Sequence, residues 1–394
     1  MEQKSQPDLL LFILTIVLVG IGAVMVYDAS YAVAGEVYHN TRFFVTKQAM
    51  FAVVGVVLMA IAMNLPFWWL KRAAGLILVL SVFGLVAVFV PHIGHASRGA
   101  TRWIAFGPIQ VQPSEFAKLG LVIYLAAALS YGKRNLKDIN SIFLPIVAPV
   151  LIVAFLVVKE DMGTAIVLVI TALAMMFMAG ARKDHLLMGI LLGAFAGAIA
   201  VIHEPYRLQR IMAFKDPFKD YHGIGYQVCQ SLIALGSGGI FGAGFGESRQ
   251  KLGYLPASYT DFVYAIMGQE GGLIVAALIA GLFFLFAWRG FVIASRTKDP
   301  FGRLLAAGIS ILISGQALLN MLVVTSSVPA TGVPLPFISY GGSSLALNLL
   351  CVGVLLGVSR YPKVVEEHQG ESSIDGRRDR RARVSRAKYR RSHL

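Results

Sequence analysis

The sequence predicts an all-α integral membrane protein, a polytopic bundle of about ten transmembrane helices with long extracytoplasmic loops. Three observations carry that prediction. Hydrophobic residues make up 57% of the 394 and charged residues 14%, against about 45–50% and 25% in soluble domains. The apolar residues gather into runs long enough for a hydrocarbon layer of about 30 Å. Lysine and arginine then recur in alternate connections, which fixes the orientation expected of those runs.

The runs are 9–27, 43–63, 73–90, 116–131, 142–158, 163–181, 185–202, 262–288, 304–325 and 343–358. The first is longer than the ~7–15 apolar residues of a signal-peptide core, so it reads as a retained helix although Ala32-Val-Ala34 resembles a cleavage site. With the N-terminus inside, the cytoplasmic connections receive Lys71 and Arg72, Lys133, Arg134 and Lys137, Arg182 and Lys183, Arg289, Arg296, Lys298 and Arg303, then Arg360 and Lys363. Both termini are therefore expected in the cytoplasm.

Two domains are expected. Residues 1–363 form the membrane domain, and 364–394 form a disordered basic tail. Of the formal charge of +14, residues 377–391 supply +8, which suits a tail held near anionic lipid. Without a folded reading module this charge is no argument for nucleic-acid binding. Cys229 falls in a long loop and Cys351 in the last run, so no disulfide is expected between them.

Loops 91–115 and 203–261 are long enough to suggest function or disorder. Within the second, residues 225–235 read as a short interfacial helix. The glycine-rich run 236–246 matches no nucleotide-binding pattern, so it reads as backbone for tight turns and close helix approach. The segment 328–344, with three prolines, reads as re-entrant or cavity-lining.

Asp261 is the main candidate for chemistry, because Tyr254-Leu-Pro-Ala-Ser-Tyr-Thr-Asp261-Phe262 brings a carboxylate to the mouth of an apolar run. Ser258 and Asp261 are also spaced like a capping box, so spacing leaves capping and catalysis equally open. Cations in the outer loops would suit an anionic head group: Arg98, Arg102, Lys118, Arg207, Arg210, Lys215, Lys219, Arg249 and Lys251. Solvated loop charge is the ordinary reading of any one of them; Arg102, beside Trp103, and the pair Arg207 and Arg210 are the exceptions. Glu115 and Lys118, three apart, share a helix face and form either an ion pair shielded from lipid or a substrate contact. Glu270 is expected to be buried against another helix. His92 and His95 have one metal-like spacing but no further ligands, and nothing in the sequence requires a cofactor or decides a divalent-cation dependence.

Several segments together resemble the SEDS family of peptidoglycan glycosyltransferases, which includes FtsW, RodA and SpoVE. They are Gly99-Ala-Thr-Arg-Trp-Ile104, Gln112-Pro-Ser-Glu-Phe-Ala-Lys118, Asp161-Met-Gly-Thr164, Tyr206-Arg-Leu-Gln-Arg210, Gly225-Tyr-Gln227, Leu255-Pro-Ala-Ser-Tyr-Thr-Asp-Phe262 and Pro334-Leu-Pro-Phe-Ile-Ser-Tyr-Gly-Gly-Ser-Ser344. The resemblance implies a lipid II polymerase on the outer face of the cytoplasmic membrane, acting in septal wall synthesis during cell division, with elongation or sporulation as the alternative setting and Asp261 as catalytic base. It also implies substrate contacts at Arg102, Trp103, Glu115, Lys118, Arg207, Arg210, Gln227, Ser339, Gly341, Gly342 and Ser343. The implied partners are a class B penicillin-binding protein and other divisome membrane proteins. Lys159-Glu-Asp161, Ala257-Ser-Tyr259, Gln269-Glu270 and Gly253 depart from common family patterns. The opening Pro7-Asp8-Leu-Leu with Met25-Val-Tyr27 and the Pro205-Tyr-Arg207 segment look closer to FtsW and its sporulation relatives than to RodA. A lipid II flippase or a non-catalytic scaffold is the alternative, since intramembrane Glu270 and Lys118 would also suit a transporter.

Overall fold

The computed structural model describes residues 5–90, 94–97, 100–106, 109–130 and 143–361. The basic tail and Arg98 lie outside the described residues. Among the described residues, ten apolar helices stand where the ten runs were read. Eight are long and apolar enough to cross a membrane, and two shorter ones cover Pro145–Lys159 and Met162–Met178. The protein is a multi-pass membrane protein.

In chain order the helices of the first part are α1 (Leu9–Tyr38), α2 (Phe43–Asn64), α3 (Phe67–Ala87) and α4 (Pro113–Ser130). A π-turn over Phe143–Val147 leads into α5 (Ala148–Glu160), followed by α6 (Met162–Met178) and α7 (Lys183–Ile202). Then come α8 (Pro205–Lys215), α9 (Tyr226–Gly238), α10 (Val263–Arg296), α11 (Pro300–Val324) and α12 (Gly342–Ser359). Three helix starts are capped by an aspartate. Asp8, Asp161 and Asp299 each accept a bond from a backbone N–H of the first turn of α1, α6 and α11.

Three features depart from a plain bundle. The loop between α3 and α4 carries a small antiparallel sheet, β1 (Gly94–Ser97), β2 (Ala100–Phe106) and β3 (Ile109–Val111), in that order. Helix α9 buries Val228, Cys229, Ser231 and Ala234. Ser231 also donates to the Val324 carbonyl of α11 at 2.8 Å, so this expected interfacial helix is docked into the body of the protein. Both cysteines are buried and free.

The third departure is a break in α10. Gly272 sits at φ 66°, ψ −166°, which interrupts the helical ladder. Carbonyls released there are taken up by the glycine-rich run. Ala243 and Gly244 donate to Gln269 and Glu270 at 2.9 and 3.1 Å, and Leu273 donates back to Gly239 at 2.9 Å. A Cβ at Gly242 or Gly272 would collide with the facing backbone. The run thus serves close backbone approach, as its composition suggested.

The proline-rich segment between α11 and α12 folds into the protein. Val333, Leu335, Phe337 and Ile338 are buried, and the Phe337 carbonyl lies against Gly22 of α1. Gly22 stands six residues, about 9 Å along the helix, from Asp28 towards the middle of α1. This depth matches a re-entrant segment.

Candidate active site

Asp261 is half-buried at the end of the turn that leads into α10. Phe262 occupies the cap position of that helix without a side-chain cap bond. Ser258 donates instead to the Ala29 carbonyl of α1 at 3.2 Å, so no capping box forms. Asn320 of α11 fixes the Asp261 main chain: its Nδ2 donates to the Asp261 carbonyl and to the Val333 carbonyl, each at 2.7 Å. The carboxylate faces the re-entrant segment at Gly332, where a Cβ would stand 3.5 Å from Oδ2. Gly332 has φ +80°, a conformation that disfavours any side chain there.

A cavity of about 200 Å³ is lined by Tyr206, Arg210, Tyr226, Gln227, Pro256 and Ala330, among others. Pro256 lies in the loop five residues before Asp261 and Ala330 two residues before Gly332, so the cavity is lined from both segments that meet at the carboxylate, although Asp261 itself does not line it. Arg210 stacks on the Tyr206 ring at 4.6 Å and donates to the Ala330 carbonyl at 3.1 Å and to the Tyr206 hydroxyl. Gln227 donates to the Pro256 carbonyl at 3.2 Å.

Arg207 has a different task. Its guanidinium donates to the Ala200 carbonyl of α7 at 3.0 Å and to the Val158 carbonyl of α5 at 2.7 Å. It therefore ties together the C-terminal ends of two helices, where a cation also meets the helix dipoles favourably. Arg102 and Trp103 lie on β2; the Arg102 side chain falls outside the described set and Trp103 is half-buried. Lys215, Lys219 and Arg249 are exposed.

Glu115 and Lys118 form a buried ion pair of 2.8 Å at the start of α4. Lys118 also donates to Gln316 at 2.7 Å, and Gln316 donates to the Pro334 carbonyl at 3.0 Å. Ser344 donates to Glu115 at 3.1 Å. The pair thus holds the re-entrant segment and the start of α12. Ser339 accepts from the Leu335 N–H at 2.8 Å, Gly341 donates to Gln48 at 3.3 Å, and Gly342 packs on the Phe51 ring. The Ser343 hydroxyl is buried without a hydrogen-bond partner among the described residues.

Lys251 corrects the expectation of a solvated loop cation. It is 1% exposed and bonds Asp28 Oδ1 of α1 at 2.6 Å and Glu270 Oε1 of α10 at 2.8 Å. Burial alone would lower its pKa, but the two carboxylates outweigh it and hold the ammonium above the ordinary lysine value. Glu270 is buried as expected, although its cationic partner comes from a loop and not from another helix. Asp28 was missed because its run was closed at Tyr27, whereas α1 continues to Tyr38. An acid inside the helix would otherwise have been a candidate by default.

No group of three or more His, Cys, Asp or Glu suited to a metal occurs among the described residues. His92 and the His95 side chain lie outside them.

A family model described as "Cell cycle protein", that of FtsW, RodA and SpoVE, matches residues 8–364. Stage V sporulation protein E of Bacillus subtilis (strain 168) is 42% identical over 363 residues, covering 92% of this chain and 99% of that protein. The probable peptidoglycan glycosyltransferase FtsW of Geobacter sp. (strain M18) is 41% identical over 361 residues, with 91% and 98% covered. Among solved structures, a chain from work on the structural coordination of polymerization and crosslinking by a peptidoglycan synthase complex superposes with a TM-score of 0.74 at 28% identity, covering 90% of this chain and 98% of that one. The crystal structure of Thermus thermophilus rod shape determining protein RodA gives 0.66 at 27% identity, covering 90% and 97%.

Proposed function

The chain belongs to the FtsW/RodA/SpoVE family of cell cycle proteins, and on that premise we propose that it is a peptidoglycan glycosyltransferase that polymerises lipid II, with Asp261 as general base. Relatives that it covers almost end to end carry the name probable peptidoglycan glycosyltransferase FtsW. The single observation that carries the residue assignment is the placement of Asp261. Its main chain is pinned by Asn320, and its carboxylate faces Gly332, two residues along the chain from the wall of a cavity that holds an arginine.

The chemistry follows from that placement. Asp261 takes the proton from a sugar hydroxyl of the acceptor as the oxygen attacks the anomeric carbon of the donor. The bond from that carbon to the lipid pyrophosphate breaks, and the pyrophosphate leaves on the opposite face, so the configuration inverts. Arg210 stabilises the charge that develops on the leaving group. Arg102 and Arg207 are further candidates for phosphate contact, Arg207 through what it leaves free after tying α5 to α7. Glu115 and Lys118 support the re-entrant segment through Gln316 and Ser344.

The reaction takes place on the outer face of the cytoplasmic membrane, with both chain termini in the cytoplasm, during septal wall synthesis. Residues 1–363 form the catalytic membrane domain and 364–394 a basic tail. A class B penicillin-binding protein is the partner; the structural neighbour described as a peptidoglycan synthase complex supports this.

The test is polymerisation of lipid II by purified protein with its transpeptidase partner, with glycan strands resolved on a gel. Asp261→Asn keeps shape and lipid II binding while removing the proton acceptor, and strand synthesis should fall to background. Near wild-type synthesis by this variant would move the assignment to a lipid II flippase or a scaffold.

A further inference from the structure

We propose that Lys251 is a positioning residue for Asp261, and that the buried triad Asp28–Lys251–Glu270 is the clamp through which it acts. The inference rests on the reading of Asp261 as the base.

The clamp joins three parts of the chain that meet nowhere else in sequence: α1, the loop before Asp261, and the first two turns of α10. Lys251 stands ten residues before Asp261 and Glu270 nine residues after it, so their ion pair closes a ring with the carboxylate near its middle. The ring also stands on α1 at two points. Lys251 bonds Asp28 at 2.6 Å, and Ser258 bonds the carbonyl of the next residue, Ala29, at 3.2 Å. Loop residues seven apart therefore rest on adjacent residues of one helix. The chain between them arches outwards, with Leu252, Gly253, Tyr254 and Pro256 exposed, and Asp261 follows three residues after the second foot.

The position of Glu270 adds a second constraint. It lies two residues before Gly272, where α10 breaks, so the segment from Val263 to Gly271 is joined to the rest of its helix by an interrupted backbone ladder, with Tyr264 donating across the break to the Ala276 carbonyl at 3.0 Å. The clamp to α1, with the carbonyl bonds to Ala243 and Gly244, fixes that segment and hence the base at its head.

Stability alone does not explain three buried charges. A well-packed apolar substitute for a buried ion pair is often neutral or stabilising, so such groups are weak evidence of a purely stabilising role. They do fix geometry, because a lysine ammonium held between two carboxylates has one position. Catalysis is sensitive to that: a misplacement of about 1 Å can cost on the order of 10²-fold in rate.

The experiment uses full-length protein with its transpeptidase partner and three variants. Lys251→Met leaves two carboxylates buried without their cation and should lower the melting temperature, so its activity is not diagnostic alone. The shape-preserving triple variant Asp28→Asn/Lys251→Met/Glu270→Gln removes all the charges together and should melt near the wild type. For it we expect kcat to fall roughly 10- to 100-fold with KM for lipid II unchanged. Hydrogen exchange should quicken in peptides spanning 252–262 while α1 and α12 keep their protection. A triple variant that melts normally and retains wild-type kcat overturns the proposal, whatever its exchange pattern. So does a loss confined to KM, or a kcat loss that only tracks the unfolded fraction. Asp261→Asn, run in parallel, separates the two levels: if it polymerises normally, the base assignment fails before the clamp is at issue.

Discussion

Arg207 and Arg210 lie one turn apart on α8 and would be indistinguishable as two basic residues of a loop, yet their hydrogen bonds assign them different work. Arg207 spends donors on the ends of α5 and α7, whereas Arg210 lines the cavity. Arg207→Ala should therefore lower stability by about 1.5–3 kcal/mol, the range for bonds to a charged group. Arg210→Ala, which loses one carbonyl bond and a contact to Tyr206 within its own helix, should lower the melt less than Arg207→Ala and reduce kcat by roughly 10²-fold, as loss of a charge-stabilising donor does. Equal melting curves for the two variants would remove the distinction. Glu115 and Lys118 provide a second case. Lys118→Met strands a buried carboxylate and should cost about 3–5 kcal/mol, while Glu115→Gln/Lys118→Met should cost far less; denaturant unfolding in detergent measures both. The pairing of these two was legible because three residues on a helix is a contact distance. The burial of Lys251 was not, since a cation amid loop residues carries no mark of the acids that meet it from residues 28 and 270.

At the scale of elements, the membrane makes sequence unusually readable. Backbone groups in lipid must be satisfied within the helix, so each span has to be a long apolar run, and each of the ten was found. What escaped were elements stabilised by the protein itself. The β-sheet and α8 carry no long apolar signal, and the outer third of α1 runs past Tyr27 because Asp28 and Ser30 are shielded by neighbours. The glycine-rich run was readable as a close-approach surface, but its partner, the broken α10, was not. That partnership makes a sharp prediction. Gly272→Ala places a Cβ against the backbone of Ile240 and Gly242 at a φ of +66°, so it carries both steric conflict and backbone strain. Strain alone in such a conformation costs about 1–3 kcal/mol. Gly281→Ala, in the same helix with nothing within 4 Å of the new Cβ, is the control. Thermal melting of the two in detergent should separate them; coincident curves would mean that the break in α10 is not a rigid feature of the fold.

For the molecule as a whole, the chemistry depends on which side of the membrane Asp261 faces. The ends of the bundle are defined by their contacts. Asp261, Glu115, Asn320 and Ser344 mark one end, and Asp8 with Arg289 and Ser359 marks the other, where Arg289 grips the Asp8 carboxylate at 2.8–2.9 Å. The short connections at the second end carry Lys71, Arg72, Arg182, Lys183, Lys298 and Arg303, and short cationic connections stay in the cytoplasm. The first end carries long loops, which cross membranes largely regardless of charge, so its own arginines do not oppose this orientation. A polymerase of lipid-linked sugars needs the Asp261 end outside. Single cysteines test it, because the native Cys229 and Cys351 are buried and should stay silent towards a membrane-impermeant maleimide. Lys219→Cys, at an exposed site on the Asp261 side, should label in intact cells, whereas Lys298→Cys and Ser385→Cys should label only after the membrane is opened. Labelling of Ser385→Cys in intact cells would invert the topology and place the proposed base in the cytoplasm, away from where glycan strands are built.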